Sequence, residues 1–363
     1  MNVTYIFRAT NRLARGLTAD ANSVGAMPDD PAEAAPSPDG LAVLVAEPAV
    51  PTPVPAPPLL LGNRVVDGSQ APLRAAKPTA GTKTFAPTVP TNLPANYVPA
   101  AGRIILVAKA RGGIGATTLA VNLALELQMQ AVRQRSATGG RVALVDLDVQ
   151  LGNAGSFLDL ADRGGMLALA QLGPEPDAQA VRHAMVRHPS GLSVLAAPTT
   201  AIPFEAFDIR RISCILDALA AENDIVLVDL PPALIDWLDP LLARAERLLM
   251  VTDLAVPSIV RARRIISLMT ENRATLPVDI VVAHEKKPFR QGQSHRDAAA
   301  ALGHPLRHWL PDETKLARQA LDRGEPLVQL APRCGWSKAV KGMAAELQMS
   351  VKSDAKANVR GDH

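Results

Sequence analysis

The chain has 363 residues, 48% of them hydrophobic but only 3% aromatic, and a formal net charge of +3. Two cysteines, Cys214 and Cys334, exclude a disulfide-built scaffold and point to a reducing, cytoplasmic compartment. So small a charge demands neither nucleic acid nor anionic lipid as a partner, and no apolar run predicts a membrane span or a signal peptide.

Residues 1–20 place Val3, Ile6, Phe7, Leu13, Ala14 and Leu17 on one arc of a helical wheel, with Arg8, Arg12 and Arg15 opposite. The pattern predicts a short basic amphipathic peptide, suited to a partner's groove or to peripheral contact with an anionic membrane. Residues 21–100 follow as a Pro/Ala-rich stretch. Sixteen of the 31 prolines fall between Pro28 and Pro99. Proline fixes φ and removes a backbone donor, so this density predicts a disordered, semi-rigid linker with polyproline II character.

Residue 101 opens a different pattern, expected to continue as one domain to residue 349. Apolar runs read as strands at Arg103–Ala108, Arg141–Val145, Leu192–Ala196, Asp224–Val228, Arg247–Thr252, Val278–Ala283 and Pro305–Leu310. Amphipathic helices are expected at Thr117–Gln130, Ile209–Ala221, Pro257–Glu271, Ser294–Leu302, Thr314–Asp322 and Ser337–Gln348. Alternating strands and helices predict an α/β, doubly wound, largely parallel sheet, with its ligand at the carboxyl ends of the strands. The low aromatic content fits the aliphatic core of such a sheet. Residues 350–363 read as a flexible tail without an apolar face.

The first strand runs into Lys109-Ala-Arg111-Gly112-Gly113-Ile-Gly115-Ala116-Thr117-Thr118 and then into a helix. Glycines between a strand and a helix let backbone amides wrap a phosphate, and the helix N-terminus favours the negative charge. A threonine hydroxyl after the loop is placed for Mg²⁺. The lysine that ordinarily precedes it, and reaches the β- and γ-phosphates, is replaced by Ala116. Asp146 and Asp148 end the second strand, and Asp229 ends a later one. A lone aspartate there is ordinarily a helix cap. Three carboxylates converging on one glycine loop instead point to a nucleotide site.

These residues carry a resemblance. Arg111-Gly-Gly-Ile-Gly-Ala-Thr-Thr118 resembles the deviant phosphate loop of the ParA/MinD superfamily, with Arg111 at its signature lysine. Asp146-Leu-Asp148 is similar to its second motif, and Val228-Asp229-Leu-Pro-Pro232 to its Walker B strand. The likeness is closer to the CpaE/TadZ proteins of tight-adherence (Flp) type IV pilus assembly, which often carry alanine in the loop. It extends over Asp146–Leu160, His188–Pro198 and Asp224–Pro232, and covers roughly residues 103–348.

The resemblance implies a deviant P-loop NTPase fold that binds ATP and Mg²⁺. Gly112, Gly113, Gly115, Ala116, Thr117 and Thr118 would contact the nucleotide, and Thr117, Asp146 and Asp229 the metal. Asp148 and Arg111 would act on the phosphates, Arg111 by reaching across a homodimer. It further implies a pilus secretion machine or polar protein as partner, at a cell pole or peripheral to the inner membrane. With Ala116 in the loop, at most weak hydrolysis is expected. The alternatives are an active ParA-type partitioning ATPase and an accessory protein of another envelope machine, such as cellulose secretion. Where the superfamily has an adenine-binding Asn, this chain has Val281-Val-Ala-His284. Arg261, Arg263, Arg264 and Arg273 form a basic patch, read as a solvated helix face ahead of a DNA-binding one. Trp237, Trp309 and Trp336 are expected in the core or an interface.

Overall fold

The structure is a computed structural model and describes residues 102–133, 140–233, 235–271 and 273–360, with side chains to residue 348. The expectations for residues 1–20 and 21–100 lie outside the described residues.

Eight strands form one sheet among the described residues: β1 Arg103–Lys109, β2 Val142–Asp146, β3 Val186–Arg187, β4 Ser193–Leu195, β5 Ile225–Asp229, β6 Ala245–Thr252, β7 Val278–Ala283 and β8 Leu306–Leu310. Their order is β3-β4-β2-β5-β1-β6-β7-β8. Every pair is parallel except β3 with β4. The order reverses around β1, which leaves a crevice beyond its carboxyl end, where such folds bind ligands.

The strands are apolar on both faces because both are covered. In β1, Ile104, Leu106 and Ala108 join one core, while Ile105 and Val107 join the other. The second core lies under α1 Ala116–Arg133 and includes the short α2 Ala154–Phe157. The first lies under α3 Gly165–Gln171, α4 Ala178–Ala184, α5 Ile209–Glu222, α6 Leu238–Arg244, α7 Val256–Thr270 and α8 Gln293–Leu302. The remaining helices, α9 Thr314–Arg323, α10 Leu327–Leu330 and α11 Gly335–Arg360, return to the α1 side. Trp237, Trp309 and Trp336 are all buried, as expected.

Several elements differ from the sequence expectation. The antiparallel strand β3 has only two residues, and its hairpin closes through Gly191 at φ 91°. Helices α2, α3, α4, α6 and α10 have seven residues or fewer, too short for a helical period to register. Helix α11 continues past Gln348 through Arg360, into the stretch read as a flexible tail; the sequence from 343 to 360 has no glycine or proline to stop it.

Two placements are fixed by single residues. Asn122 of α1 donates to the Thr118 carbonyl (2.8 Å) and accepts from the Val328 amide of α10 (2.9 Å). Gly165 packs so closely on α4 that a Cβ there would lie 2.1 Å from the Ala184 carbonyl oxygen. Gly165→Ala is therefore expected to destabilise the fold by about 2 kcal/mol through forced backbone shifts. Thermal unfolding checks this; an unchanged midpoint would show that α3 and α4 separate freely.

In the amino-terminal half of β7, Asp279 is enclosed by cations. Arg247 donates to it from β6 (2.6 Å) and Arg307 from β8 (3.3 Å), with the His308 ring 3.8 Å away. Arg307 also reaches Glu346 on α11. Burial works against the Asp279 charge, but His308, Arg247 and Arg307 outweigh it and hold the carboxyl at about 2.

Candidate functional site: a phosphate-type loop beside buried carboxylates

Strand β1 ends at Lys109, and α1 begins at Ala116. Between them Gly113 and Gly115 have φ of 70° and 89°, the left-handed region that favours glycine. A Cβ on Gly112, Gly113 or Gly115 would meet nothing within 4 Å. These glycines therefore serve the turn and an open concavity, not internal packing. Ala116, only 3% exposed, packs into the core under α1 and brings no charge to the loop.

The carboxylates converge because the strands are in register. Asp146 of β2 pairs directly with Asp229 of β5, which pairs with Val107 of β1. Asp229 Oδ2 accepts from the Thr117 hydroxyl at 2.6 Å. Asp229 Oδ1 is buried with no hydrogen-bond partner among the described residues. Burial raises the Asp229 carboxyl, against the opposing pull of Lys109 and Thr117. Burial, then the neighbouring Asp229 charge, push Asp146 up to about 7.

Asp146 itself is spent on the chain. Its Oδ1 accepts from the Asp148 amide (3.1 Å) and its Oδ2 from the Ala154 amide (3.0 Å), so it organises the loop after β2. Gly152 lets this loop close, since a Cβ there would sit 2.5 Å from Asp146 Oδ1. Asp148 Oδ2 lies 3.5 Å from Lys109 Nζ, with both side chains about nine-tenths buried. Lys109 thus belongs to the carboxylate cluster and does not stand in for the missing loop lysine.

Arg111 keeps its charge beside the loop, held within its own chain. Its Nε and Nη2 both donate to Asp253 Oδ2, at 3.0 and 2.7 Å. Asp253 follows directly on β6. Burial would raise it, but hydrogen bonds from Ser258, Arg111 and the Ala255 amide bring it below the usual carboxylate range. The sequence reading missed Asp253, although the rule that selected Asp146 and Asp229, a carboxylate at a strand's carboxyl end, also applies to it. His284 follows directly on β7 at φ 63° and faces Asp312 at 3.8 Å, on the rim of the same edge.

The loop, Thr117 and Asp229 fit a magnesium-bound phosphate. The concavity is open, the hydroxyl stands at the helix start, and the orphaned Asp229 oxygen is free to accept from a metal-bound water. Asp146 fits a metal less well, because both its oxygens already have backbone partners. Among the described residues no group of three or more His, Cys, Asp or Glu is arranged to hold a metal ion alone. A divalent cation would therefore be carried here largely by phosphate and water.

Solved structures share this architecture. A ParA family ATPase from Chlorobium tepidum aligns with a TM-score of 0.57 at 20% identity, covering 68% of this chain and 99% of that one. The septum site-determining protein MinD of Pyrococcus horikoshii, complexed with Mg-ADP, aligns with a TM-score of 0.53 at 19% identity, covering 68% and 96%. The chain has the ParA/MinD fold. Residues 102–277 match the protein family described as an AAA domain. A putative septum site-determining protein MinD from Mesostigma viride is 28% identical over 232 residues, 62% of this ParA/MinD-like chain and 76% of that protein. The sequence likenesses support the same superfamily. No helix among the described residues is long and apolar enough to cross a membrane.

Proposed function

We propose that this ParA/MinD-like chain binds ATP with Mg²⁺ at the 111–118 loop, hydrolyses it weakly or not at all, and works as a localisation and assembly factor. The observation that carries this reading is a complete phosphate-type loop whose lysine position is filled by buried Ala116. The amides of residues 112–118 would bind the phosphates, and Thr117 with Asp229 would hold the cation's shell. Mg²⁺ supplies charge neutralisation on the phosphates. Asp148, buried beside Lys109 and accepting from the Leu151 amide, is the candidate for orienting water.

For the machine served, the support is the segments that resemble CpaE/TadZ proteins, and the reading they favour is a role in tight-adherence pilus assembly. In this reading the domain of residues 101–349 marks a pole as a homodimer, and residues 1–20 on their linker engage the secretion machinery. A fluorescent fusion of the full chain is expected to form polar foci in piliated cells; diffuse fluorescence with normal piliation after deletion of the gene would overturn the pilus assignment. ATP-dependent binding to duplex DNA would favour the partitioning reading instead.

Arg111 supplies a second test. Release from Asp253 would free its guanidinium for a partner's phosphates, where its planar fork suits bidentate contact. Arg111→Ala is expected to abolish any nucleotide-dependent shift in gel filtration, and an unchanged shift defeats the cross-dimer role.

A further inference from the structure

Beyond the nucleotide site, one exposed surface stands out. The segment from His284 to Gly292, between β7 and α8, reads His-Glu-Lys-Lys-Pro-Phe-Arg-Gln-Gly. Phe289 is 98% exposed, an outlier for a phenyl ring in a chain with only six phenylalanines. Lys286, Lys287 and Arg290 flank it, all exposed and without an ion-pair partner among the described residues. Arg290 lies over the Phe289 ring at 5.9 Å.

The loop has a defined shape because one side chain ties both its ends. The Gly292 amide donates to His295 Nδ1 at 3.1 Å, which leaves the ring proton on Nε2 to donate to Glu285 at 2.8 Å. The ring is backed edge-on by buried Trp309, with centroids 5.3 Å apart. This tie also pairs the segment's carboxylate, Glu285, with the His295 ring, so Lys286, Lys287 and Arg290 are the charges it leaves without an ion-pair partner among the described residues.

Helix α7 presents a second exposed stretch at the same edge. It packs beside α8, and both start from the carboxyl edge of the sheet on the same face. Val256 (72% exposed) and Val260 face outward from its first turns, beside exposed Arg261 and Arg264. Of the basic patch noted in the sequence, Arg263 is spent on the Ala301 carbonyl and Arg273 on the Leu242 carbonyl. Arg261 and Arg264 remain.

We propose that this surface, led by Phe289 and the cations around it, docks on an anionic lipid bilayer. Cations beside exposed apolar groups match what an anionic interface offers: phosphate headgroups above an acyl layer that accepts a phenyl ring. A duplex nucleic acid would take the lysines but offer Phe289 and Val256 no apolar phase. The surface lies at the same edge as the phosphate-type loop but uses none of its residues, so it stands or fails independently of the nucleotide reading.

The test is co-sedimentation of the full-length protein with phosphatidylglycerol–phosphatidylcholine vesicles. Removing Lys286 and Lys287 together (K286A/K287A) is expected to weaken binding by about fivefold per charge, and Phe289→Ala by roughly tenfold. Vesicles of phosphatidylcholine alone are expected to bind poorly. Residues 1–20 could also hold the chain on lipid, so Phe289→Trp with brominated lipid reads the loop itself. Its indole emission is expected to be quenched beyond the unsubstituted protein's. Absent extra quenching, or binding indifferent to both substitutions, overturns the proposal. So does duplex DNA binding that needs Lys286 and Lys287 but not Phe289, when vesicle binding is lacking.

Discussion

Replacing Ala116 by lysine is expected to raise ATP turnover about a hundredfold, the scale of one positioned donor in an electrostatically stabilised transition state. The remaining parts of the loop are in place: left-handed glycines at 113 and 115, Thr117 at the helix start, and Asp229 behind it. Ala116 is itself 3% exposed, so the lysine chain must leave the core side of α1 for the open space beside Gly112, Gly113 and Gly115. The ammonium of Lys109, which ends β1, is engaged with Asp148. A steady-state ATPase assay of wild type and variant reads the difference directly. If Ala116→Lys binds nucleotide but turns over no faster, the deficit lies elsewhere in the site, with His284 the first position to examine. If the wild type already hydrolyses at rates ordinary for phosphate-loop enzymes, the scaffold reading fails.

Removing the carboxylate of Asp279 is expected to cost about 3 kcal/mol of folding stability, because it leaves the Arg247 guanidinium largely buried without its carboxylate and beside Arg307, which keeps Glu346. Arg247 is already strained for partners, since its Nε is buried without one among the described residues. Asp279→Asn keeps the shape and removes the charge, which separates electrostatics from packing. The pH dependence has a definite sign. The folded carboxyl sits at about 2, below its ordinary 3.8. Its stabilisation is therefore complete above 3.8 and fades as pH falls toward 2. Urea unfolding at neutral pH should show the full loss in the variant, and the gap from wild type should narrow in acid. A loss below about 0.5 kcal/mol would place this cluster among ordinary surface ion pairs.

Much of this molecule was legible before any coordinates. The runs that became β1, β2, β5, β6 and β7 are largely aliphatic because both faces are covered, and their alternation with helical patterns is what points to a parallel sheet. The glycine loop was legible because its backbone needs glycine where φ is positive. The role of Asp146 was not. From the sequence it is one more strand-end acid; in the fold both its oxygens bind amides of the following loop, and that depends on how closely Gly152 approaches. Asp253 was missed for a related reason. Its importance comes from Arg111, 142 residues away, and only the adjacency of β1 and β6 joins them. The short helices α3, α4 and α6 are held by tertiary contacts and a side-chain cap such as Asp177 rather than by periodicity.

The ring of His295 has a kinetic consequence. A loop free to sample many shapes must lose that freedom when it meets a surface, which slows productive capture and weakens the complex. By holding Glu285 and Gly292 together, the imidazole confines the segment during folding, well before any encounter. Phe289 and its cations are thus presented on a loop closed at both ends, so association should involve a smaller search among loop conformations.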